Sequence, residues 1–254
     1  MCETCGCGLP DDVKHEHGHE HGHDHPHGHE GGGRHVEEAR LYRRLLDANR
    51  AQAEENRLHL MEHKVLAVNL MSSPGSGKTS LIESLARRSG ARLRMGVIEG
   101  DLATDRDAER IAAVGVPVEQ ITTGSTCHLD APMVHRALHA LPLERLDLLF
   151  VENVGNLVCP GLYDLGCHLN GVLLSVTEGD DKVAKYPVVF RQAQFFCLTK
   201  TDLQPLVEFD PARPRREAQA LKGDIKWFPL SAKSGEGLDA FLAYLEGERR
   251  LLFD

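Results

Sequence analysis

The sequence is poor in aromatic residues, lacks long apolar runs and has no excess of basic charge. Aromatic residues make up 5% of its 254 residues, and the formal net charge is −9. Because nucleic-acid surfaces need basic groups and stacking platforms, this composition argues against a nucleic-acid partner. No apolar stretch is long enough to span a membrane, and the N-terminus shows no basic segment followed by an apolar one. We therefore expect a cytoplasmic protein whose partners are proteins, nucleotides or metals.

Disulfides are not expected either, because the cytosol is reducing and the seven cysteines are odd in number. Cys2, Cys5 and Cys7 follow a C-x-x-C-x-C spacing, which can bring three thiols to one soft or borderline metal. The fourth donor is open: the terminal amine, a nearby histidine or a side chain of a partner. The alternative is a tail whose cysteines bind nothing.

Histidine occupies every second position from His15 to His29, with Gly, Glu, Asp and Pro between. Such a segment has no apolar face to bury, so we expect residues 1–35 to form a disordered tail. Imidazole suits nickel, copper and zinc, so the tract fits a metal buffer or store. A solvated tail with incidental metal affinity is the alternative.

The stretch from Val65 to Leu81 has the order strand, glycine-rich turn and helix that a phosphate-binding loop requires. Its candidate nucleotide-binding residues are Gly75, Ser76, Gly77, Lys78, Thr79 and Ser80. Lys78 can reach the outer phosphates, and the Thr79 hydroxyl can ligate Mg²⁺. The full motif begins with glycine, but Ser72 occupies that position here.

Acidic residues follow two further strand patterns. Asp101 lies just after a strand and can hold Mg²⁺ or orient an attacking water. Glu152 ends an apolar strand, and Gly155 follows three residues later. P-loop enzymes sense the γ-phosphate with an acidic residue and a glycine in this arrangement. For Asp105 and Asp107 we favour a simpler role at the start of a helix.

Two later strand ends predict a guanine site. Thr199, Lys200 and Asp202 follow one strand, and Ser231 and Ala232 follow the next. The Asp202 carboxylate can accept from guanine N1 and from its exocyclic amine, a donor pair that adenine lacks. The Ala232 N–H can donate to the guanine oxygen.

Cys127 and His128 are adjacent in a loop and can both reach one metal, with Cys159 as a candidate third ligand. Pairing of this loop between two subunits would complete the coordination. For the second adjacent pair, Cys167 and His168, a structural role is preferred, as it is for Cys197 within a strand.

The segment from Val36 to about Glu62 predicts a helix that packs on the main domain. Its expected apolar face comprises Leu41, Tyr42, Leu45, Leu46, Leu58 and Met61. We interpret His59 and His63 as surface residues. A second amphipathic helix is expected from Leu238 to about Gly247, followed by a short tail.

The chain combines the following motifs: C-x-x-C-G-C, a histidine tract, SSPGSGKT, EGD, TGSTCHLD, ENVGN, TKTD and SAKSGEG. This combination resembles that of the HypB hydrogenase-maturation GTPases. The resemblance implies an α/β P-loop NTPase domain of the SIMIBI-like class over residues 63–254, with a mostly parallel sheet and helices on both faces. It also implies Mg²⁺ as a cofactor and a homodimer whose formation depends on GTP. The implied protein partners are a HypA-type metallochaperone and the hydrogenase large subunit. The implied ligands are Cys2, Cys5 and Cys7 for nickel, and Cys127, His128 and Cys159 for nickel or zinc. Thr199 stands where the family carries asparagine.

The patterns predict a GTPase with Lys78, Thr79, Asp101 and Glu152 as catalytic residues. The resemblance implies that it delivers nickel for the maturation of nickel-iron hydrogenase. Three alternatives stay open. One is a nickel or zinc storage protein with a regulatory nucleotide domain. The others are a urease-accessory-type GTPase and a generic P-loop ATPase.

Overall fold

The computed structural model of the chain describes residues 32–101, 104–124 and 126–254. Cys2, Cys5, Cys7 and the histidine tract lie outside these residues. The helices are α1 (Gly32–Glu62), α2 (Lys78–Ser89), α3 (Arg106–Ala113), α4 (Ala131–Leu138), α5 (Lys182–Lys185), α6 (Pro187–Gln192), α7 (Ala212–Leu221) and α8 (Leu238–Phe253). The strands are β1 (Leu66–Ser72), β2 (Met95–Asp101), β3 (Val118–Thr122), β4 (Leu148–Glu152), β5 (Leu169–Ser175), β6 (Phe195–Thr199) and β7 (Lys226–Pro229).

The chain divides into two compact units, Met1–Ala48 and Asn49–Asp254. The described part of the first unit is the beginning of α1. The second unit contains the rest of α1, every strand and every residue whose contacts are described below. Among the described helices, none has both the length and the apolar composition needed to cross a lipid bilayer.

The seven strands form one sheet in the order β3-β2-β4-β1-β5-β6-β7, and all neighbouring pairs are parallel. Every residue of β1 is buried, as expected for a central strand covered on both faces. Because parallel strands end at the same edge, the loops after β1, β2, β4 and β6 gather there. The predicted α/β P-loop fold is confirmed.

Apolar clusters on the two faces of the sheet hold the helices in place. Leu81 and Leu85 of α2 pack with Phe241 of α8 in one cluster. Leu60 of α1 and Val134 of α4 belong to another. The sheet is therefore covered on both sides, and its carboxyl edge is left as the open ligand-binding edge.

The contact face of α1 differs from the predicted one. Leu58 and Met61 are 57% and 38% exposed, whereas Asn56 and Leu60 are buried. The Asn56 side-chain amide donates to the carbonyl oxygens of Ala131 and Leu165, at 2.9 and 3.1 Å. Apolar periodicity misses this face because hydrogen bonds from a polar side chain define it.

The end of α8 also differs from expectation, since the helix continues to Phe253 where the sequence predicts a tail. Arg249 explains the extension. Its guanidinium donates to the carbonyl oxygen of Asp147 at 3.1 Å and lies over the Phe253 ring at 5.8 Å. This contact ties the last turns of α8 to the start of β4.

Gly171 gives a stability prediction for the sheet. A Cβ at Gly171 would lie 2.0 Å from Cζ of Phe195, whose ring is fully buried and cannot move into solvent. Gly171→Ala is therefore expected to lower the free energy of unfolding by about 1–3 kcal/mol. The matched control is Gly247→Ala in α8, where a Cβ meets nothing within 4 Å. It should raise the free energy of unfolding by up to about 1 kcal/mol. Urea denaturation of both variants checks the pair, and equal effects would contradict the packing argument.

Candidate functional site

The phosphate-binding loop is built around the hydroxyl of Ser72. Gly75 and Gly77 adopt φ of 75° and 96°, which lets the chain turn sharply into α2. Ser72 is fully buried, and its Oγ accepts hydrogen bonds from the Ser76 hydroxyl and from the Lys78 Nζ, the latter at 2.9 Å. The serine that replaces the first motif glycine thus serves as an internal support for the loop and its lysine.

A cavity of about 400 Å³ opens over this loop. It brings together most of the residues predicted for phosphate and magnesium: Gly75, Gly77, Lys78, Thr79, Ser80, Asp101, Glu152 and Gly155. Lys200, predicted for the base, also lines it. The Thr79 hydroxyl donates to Glu152 Oε1 at 2.9 Å, and the Lys78 Nζ lies 4.0 Å from the same oxygen. Ser76, which also belongs to the loop, is fully buried.

Glu99, which the sequence reasoning missed, lies beside Glu152 in this cavity. The register of β2 and β4 places the two residues side by side, and both are buried. Burial, reinforced by the Glu152 carboxylate, raises the pKa of Glu99 to about 10. Burial also raises the pKa of Glu152, although the Lys78 charge opposes this shift. Two buried acids of like charge favour either a shared proton or a bound cation.

The carboxylates at this edge fit a magnesium ion. Oxygens of Glu99, Asp101 and Asp107 lie within 4.8 Å of one another. Within the described parts of the chain, Oε2 of Glu99 and Oε2 of Glu152 are buried and have no hydrogen-bond partner. A set of hard oxygens with unsatisfied buried acceptors suits Mg²⁺.

Asp107 lies in the first turn of α3, where the sequence predicts it, and it also makes contacts in the phosphate cavity. Asp105 is the N-cap of α3, and its side chain makes no capping bond. Asp107 lines the phosphate cavity and pairs with Arg110 at 2.8 Å. Arg110 also lines the cavity and donates to the Ser80 hydroxyl at 3.1 Å. The sequence reasoning missed Arg110 because only the packing of α3 against α2 brings it to the loop.

A second cavity, of about 420 Å³, shares Gly77, Ser80 and Lys200 with the first. Its lining includes Thr199, Asp202 and Ala232, the residues predicted to contact the base. Ser231 is fully buried behind it, and its hydroxyl donates to Asp202 Oδ1 at 2.6 Å. The structure therefore orients the Asp202 carboxylate and places it beside the phosphate loop.

Thr199 and Lys200 hold the two cavities together. The Thr199 hydroxyl donates to the carbonyl oxygen of Ser76 at 2.6 Å, and the Lys200 Nζ donates to that of Gly75 at 2.7 Å. Lys200 has a left-handed backbone with φ of 57°. A threonine in place of asparagine therefore still connects the base loop to the phosphate loop.

Cys127, His128 and Cys159 converge within one chain. Their potential ligand atoms all lie within 4.8 Å of one another, and the two sulfurs are 3.0 Å apart. The His128 ring is buried and stacks on Tyr163 at a centroid distance of 3.9 Å. Burial lowers the pKa of His128, which favours the neutral ring that ligates metals. Two thiols and an imidazole suit a borderline cation such as Ni²⁺ or Zn²⁺.

Two asparagines, also missed from the sequence, link this thiol site to the phosphate loop. Asn156 forms an isolated bridge with Ser72, and its amide donates to the carbonyl oxygen of Cys127 at 3.4 Å. Asn153 accepts from the backbone N–H of Leu129 at 3.2 Å. The ENVGN segment therefore contacts the phosphate loop on one side and the Cys127 loop on the other.

Cys167 and Cys197, the remaining cysteines in the described part of the chain, have the structural roles expected of them. Cys167 and Cys197 are buried in the apolar core. His168 Nδ1 accepts from the Ala67 N–H at 3.0 Å, and burial lowers the pKa of His168 to about 4.

Comparison with known proteins agrees with this geometry. The CobW/HypB/UreG nucleotide-binding domain family matches residues 66–229. The chain is 47% identical to the hydrogenase maturation factor HypB of Azotobacter vinelandii over 210 residues, which cover 83% of this chain and 69% of that protein. It is 40% identical to the hydrogenase/urease maturation factor HypB of Helicobacter pylori over 217 residues, or 84% and 89% of the two chains.

A crystal structure of HypB from Helicobacter pylori in complex with nickel superposes with a TM-score of 0.78. The sequences are 41% identical, and the match covers 82% of this chain and 97% of that one. The fold, the phosphate loop and the sequence similarity lead to one assignment. The chain belongs to the CobW/HypB/UreG nucleotide-binding family and, within it, to the HypB hydrogenase maturation factors.

Proposed function

We propose that this chain is a GTP-hydrolysing nickel metallochaperone that delivers nickel for the maturation of nickel-iron hydrogenase. The observation that carries the proposal is the ENVGN segment, which contacts both the nucleotide cavity and the Cys127 loop. A HypA-type metallochaperone and the hydrogenase large subunit are the proposed protein partners, and a homodimer is the proposed assembly. The relative from Helicobacter pylori, solved with nickel, supports the proposed cargo.

The phosphate cavity supports hydrolysis through its own charged groups. Lys78, Gly75 and Gly77 line this cavity, where the ammonium and the backbone N–H groups would stabilise negative charge on bound phosphates. Asp101 would orient the attacking water. Mg²⁺, held by Thr79 and by the carboxylates of Asp101, Glu99 and Glu152, would neutralise charge on the phosphate oxygens.

The cargo would bind Cys127, His128 and Cys159. These residues offer three ligands, so a four-coordinate cation needs one more from water or from a partner subunit. Cys2, Cys5 and Cys7 are the proposed second site, for which the sequence pattern is the support. Nickel is the proposed physiological metal, and zinc is its competitor for the same donors.

Coupling between the two sites tests the proposal. Gly155 packs so closely on the phosphate loop that a Cβ there would lie 2.9 Å from Pro74 Cγ. A γ-phosphate that moves this loop should therefore shift Asn156 and the Cys127 loop. We expect nickel affinity at the thiol site to differ about tenfold between a GTP analogue and GDP, within the usual range for coupled sites. Calorimetric titration of the full chain measures it, and equal affinities would contradict the proposal.

Asn156→Ala is expected to remove most of this coupling. The substitution deletes the amide that donates to the Cys127 carbonyl oxygen, while the residues lining the phosphate cavity stay in place. The ratio of nickel affinities in the two nucleotide states should fall to about twofold or less, since coupling needs a connected element. Gln219→Ala is the control, because that amide side chain is exposed on α7 and lines neither cavity. A ratio as large as in the unsubstituted chain would show that Asn156 is not the connection.

Urease maturation is a second candidate, because the relative from Helicobacter pylori is named a hydrogenase/urease maturation factor. Deleting the gene and assaying both nickel enzymes separates the two functions. Loss of hydrogenase activity alone is expected under the main proposal.

A further inference from the structure

Four histidines outside the nucleotide and thiol sites gather where α1 and α4 end. His59 lies in the last turn of α1 and His63 follows that helix, while His135 lies in the last turn of α4 and His139 is its C-cap. Each pair is four residues apart, a spacing that places both side chains on one helix face. The ring centroids are 4.8 Å apart for His59 and His63, 5.1 Å for His59 and His139, and 4.7 Å for His135 and His139.

A hydrogen bond to Asn56 determines which nitrogen His135 presents to this cluster. The Asn56 amide nitrogen donates to two backbone carbonyl oxygens, so its Oδ1 is left as an acceptor. Oδ1 lies 2.9 Å from His135 Nδ1, which must therefore carry the proton. In the neutral ring Nε2 then holds a lone pair. Metal-ligating histidines are oriented in the same way, by a hydrogen bond from the other ring nitrogen.

The spacing of the two Nε2 atoms matches a metal chelate. Nε2 of His135 and Nε2 of His139 are 3.3 Å apart. Two nitrogens bound to one tetrahedral Zn²⁺ at 2.0–2.1 Å are separated by about 3.3 Å. The ring of His59 neighbours those of His139 and His63, so a side-chain rotation would be needed to bring a third nitrogen to the pair.

The ends of the two helices favour positive charge in the cluster. Both C-terminal ends direct their partial negative charge to this place. Leu60 and Val134 anchor the two helix ends in the core, so the histidines are held near one another without a ligand.

We propose that His135 and His139, joined by His59 and His63, bind a borderline divalent cation of the Zn²⁺ or Ni²⁺ class at the junction of α1 and α4. All four candidate ligands are imidazoles, which distinguishes this site from the two thiol sites. The site is independent of the proposed function. If it forms, His59 and His63, which we interpreted as surface residues, are also metal ligands.

The test uses the full-length chain with the tail ligands replaced, so that tail binding does not mask the site. Cys2, Cys5 and Cys7 are changed to serine and the histidines from His15 to His29 to glutamine. Equilibrium dialysis against Zn²⁺ and against Ni²⁺ should then give two bound equivalents, one at the thiol site and one at the histidine cluster. Spectra with Co²⁺ as probe should show one site with thiolate charge-transfer absorption and a second site, ligated by nitrogen, without it.

In this background, His139→Gln is the first variant, because His139 is exposed and its loss should not disturb folding. The nitrogen-ligated equivalent should be lost or bound at least about tenfold more weakly, and the thiolate absorption should be unchanged. His135→Gln should have the same effect. Arg136→Gln, an exposed neighbour on α4, is the matched control and should keep both equivalents. The proposal is overturned if the parent binds only the thiol equivalent, or if both histidine variants retain the nitrogen-ligated metal at the parent's affinity.

Discussion

Lys78→Ala is expected to lower the rate of GTP hydrolysis by about 10²- to 10³-fold, the usual cost of removing one group that stabilises transition-state charge. The Lys78 side chain is only 8% exposed, and its Nζ is held at 2.9 Å from Ser72 Oγ and 4.0 Å from Glu152 Oε1. Because this ammonium is buried, its attraction to the phosphate charges acts through a medium of low dielectric constant and is stronger than in water. Alanine leaves the position without charge, and a mobile solvent cation cannot replace a preorganised one.

Single-turnover release of inorganic phosphate measures this loss separately from product release. Lys185→Ala provides the control, since Lys185 is an exposed lysine paired with Asp181 on the short α5 helix. It should hydrolyse GTP at the rate of the unsubstituted chain. Nickel binding at Cys127 without nucleotide should survive in the Lys78 variant, because the thiol ligands do not contact Lys78. A Lys78 variant within about twofold of the unsubstituted rate would mean that another group supplies the charge.

The parts of the site that could be predicted from the sequence are those whose chemistry is local. The phosphate loop and Asp202 come after apolar strands, and Asp101 and Glu152 are the last residues of two others. Strand order therefore brings them to one edge of the sheet. The parallel sheet follows from the same alternation of strands and helices. Resemblance to a family added the cargo, which the local patterns leave open.

The rest depends on packing between segments that are distant in the chain. Glu99 meets Glu152 because β2 and β4 are neighbours, although β3 lies between them in sequence. Asn156 acts through a bridge to Ser72 that no pattern of residues encodes. The helices α5 and α6, of four and six residues, are too short for a periodic signal.

The histidine cluster is missed for a related reason. His59 and His63 have helical spacing to each other, and so do His135 and His139, yet each pair alone resembles an exposed helix face. Packing of α1 on α4, through Asn56 and through the cluster that contains Leu60 and Val134, brings the two pairs together. Sequence reasoning that treats each segment separately gives His59 and His63 a surface role and assigns none to His135 and His139.

Asp202→Asn is expected to change the preferred base. The Ser231 hydroxyl donates to Oδ1 of Asp202 and fixes the carboxylate at the rim of the second cavity. A carboxylate only accepts hydrogen bonds, so it suits the two donors on the edge of guanine. Asparagine turns one acceptor into a donor and opposes the guanine exocyclic amine. Because bonds to a charged group contribute about 1.5–3 kcal/mol each, GTP affinity should fall about 10²-fold.

Xanthosine triphosphate carries an oxygen where guanine carries that amine, so the same substitution should improve its binding. Affinities of the Asp202→Asn variant for GTP, xanthosine triphosphate and ATP, measured by competition with a fluorescent analogue, decide the question. Ser231→Ala is the companion variant, because it keeps the carboxylate and removes only the hydroxyl that orients it. It should weaken GTP several-fold, by about 1 kcal/mol, with no change of preferred base. If Asp202→Asn still selects GTP over xanthosine triphosphate, the base is read elsewhere, and Ala232 and Lys233 on the same rim become the residues to test.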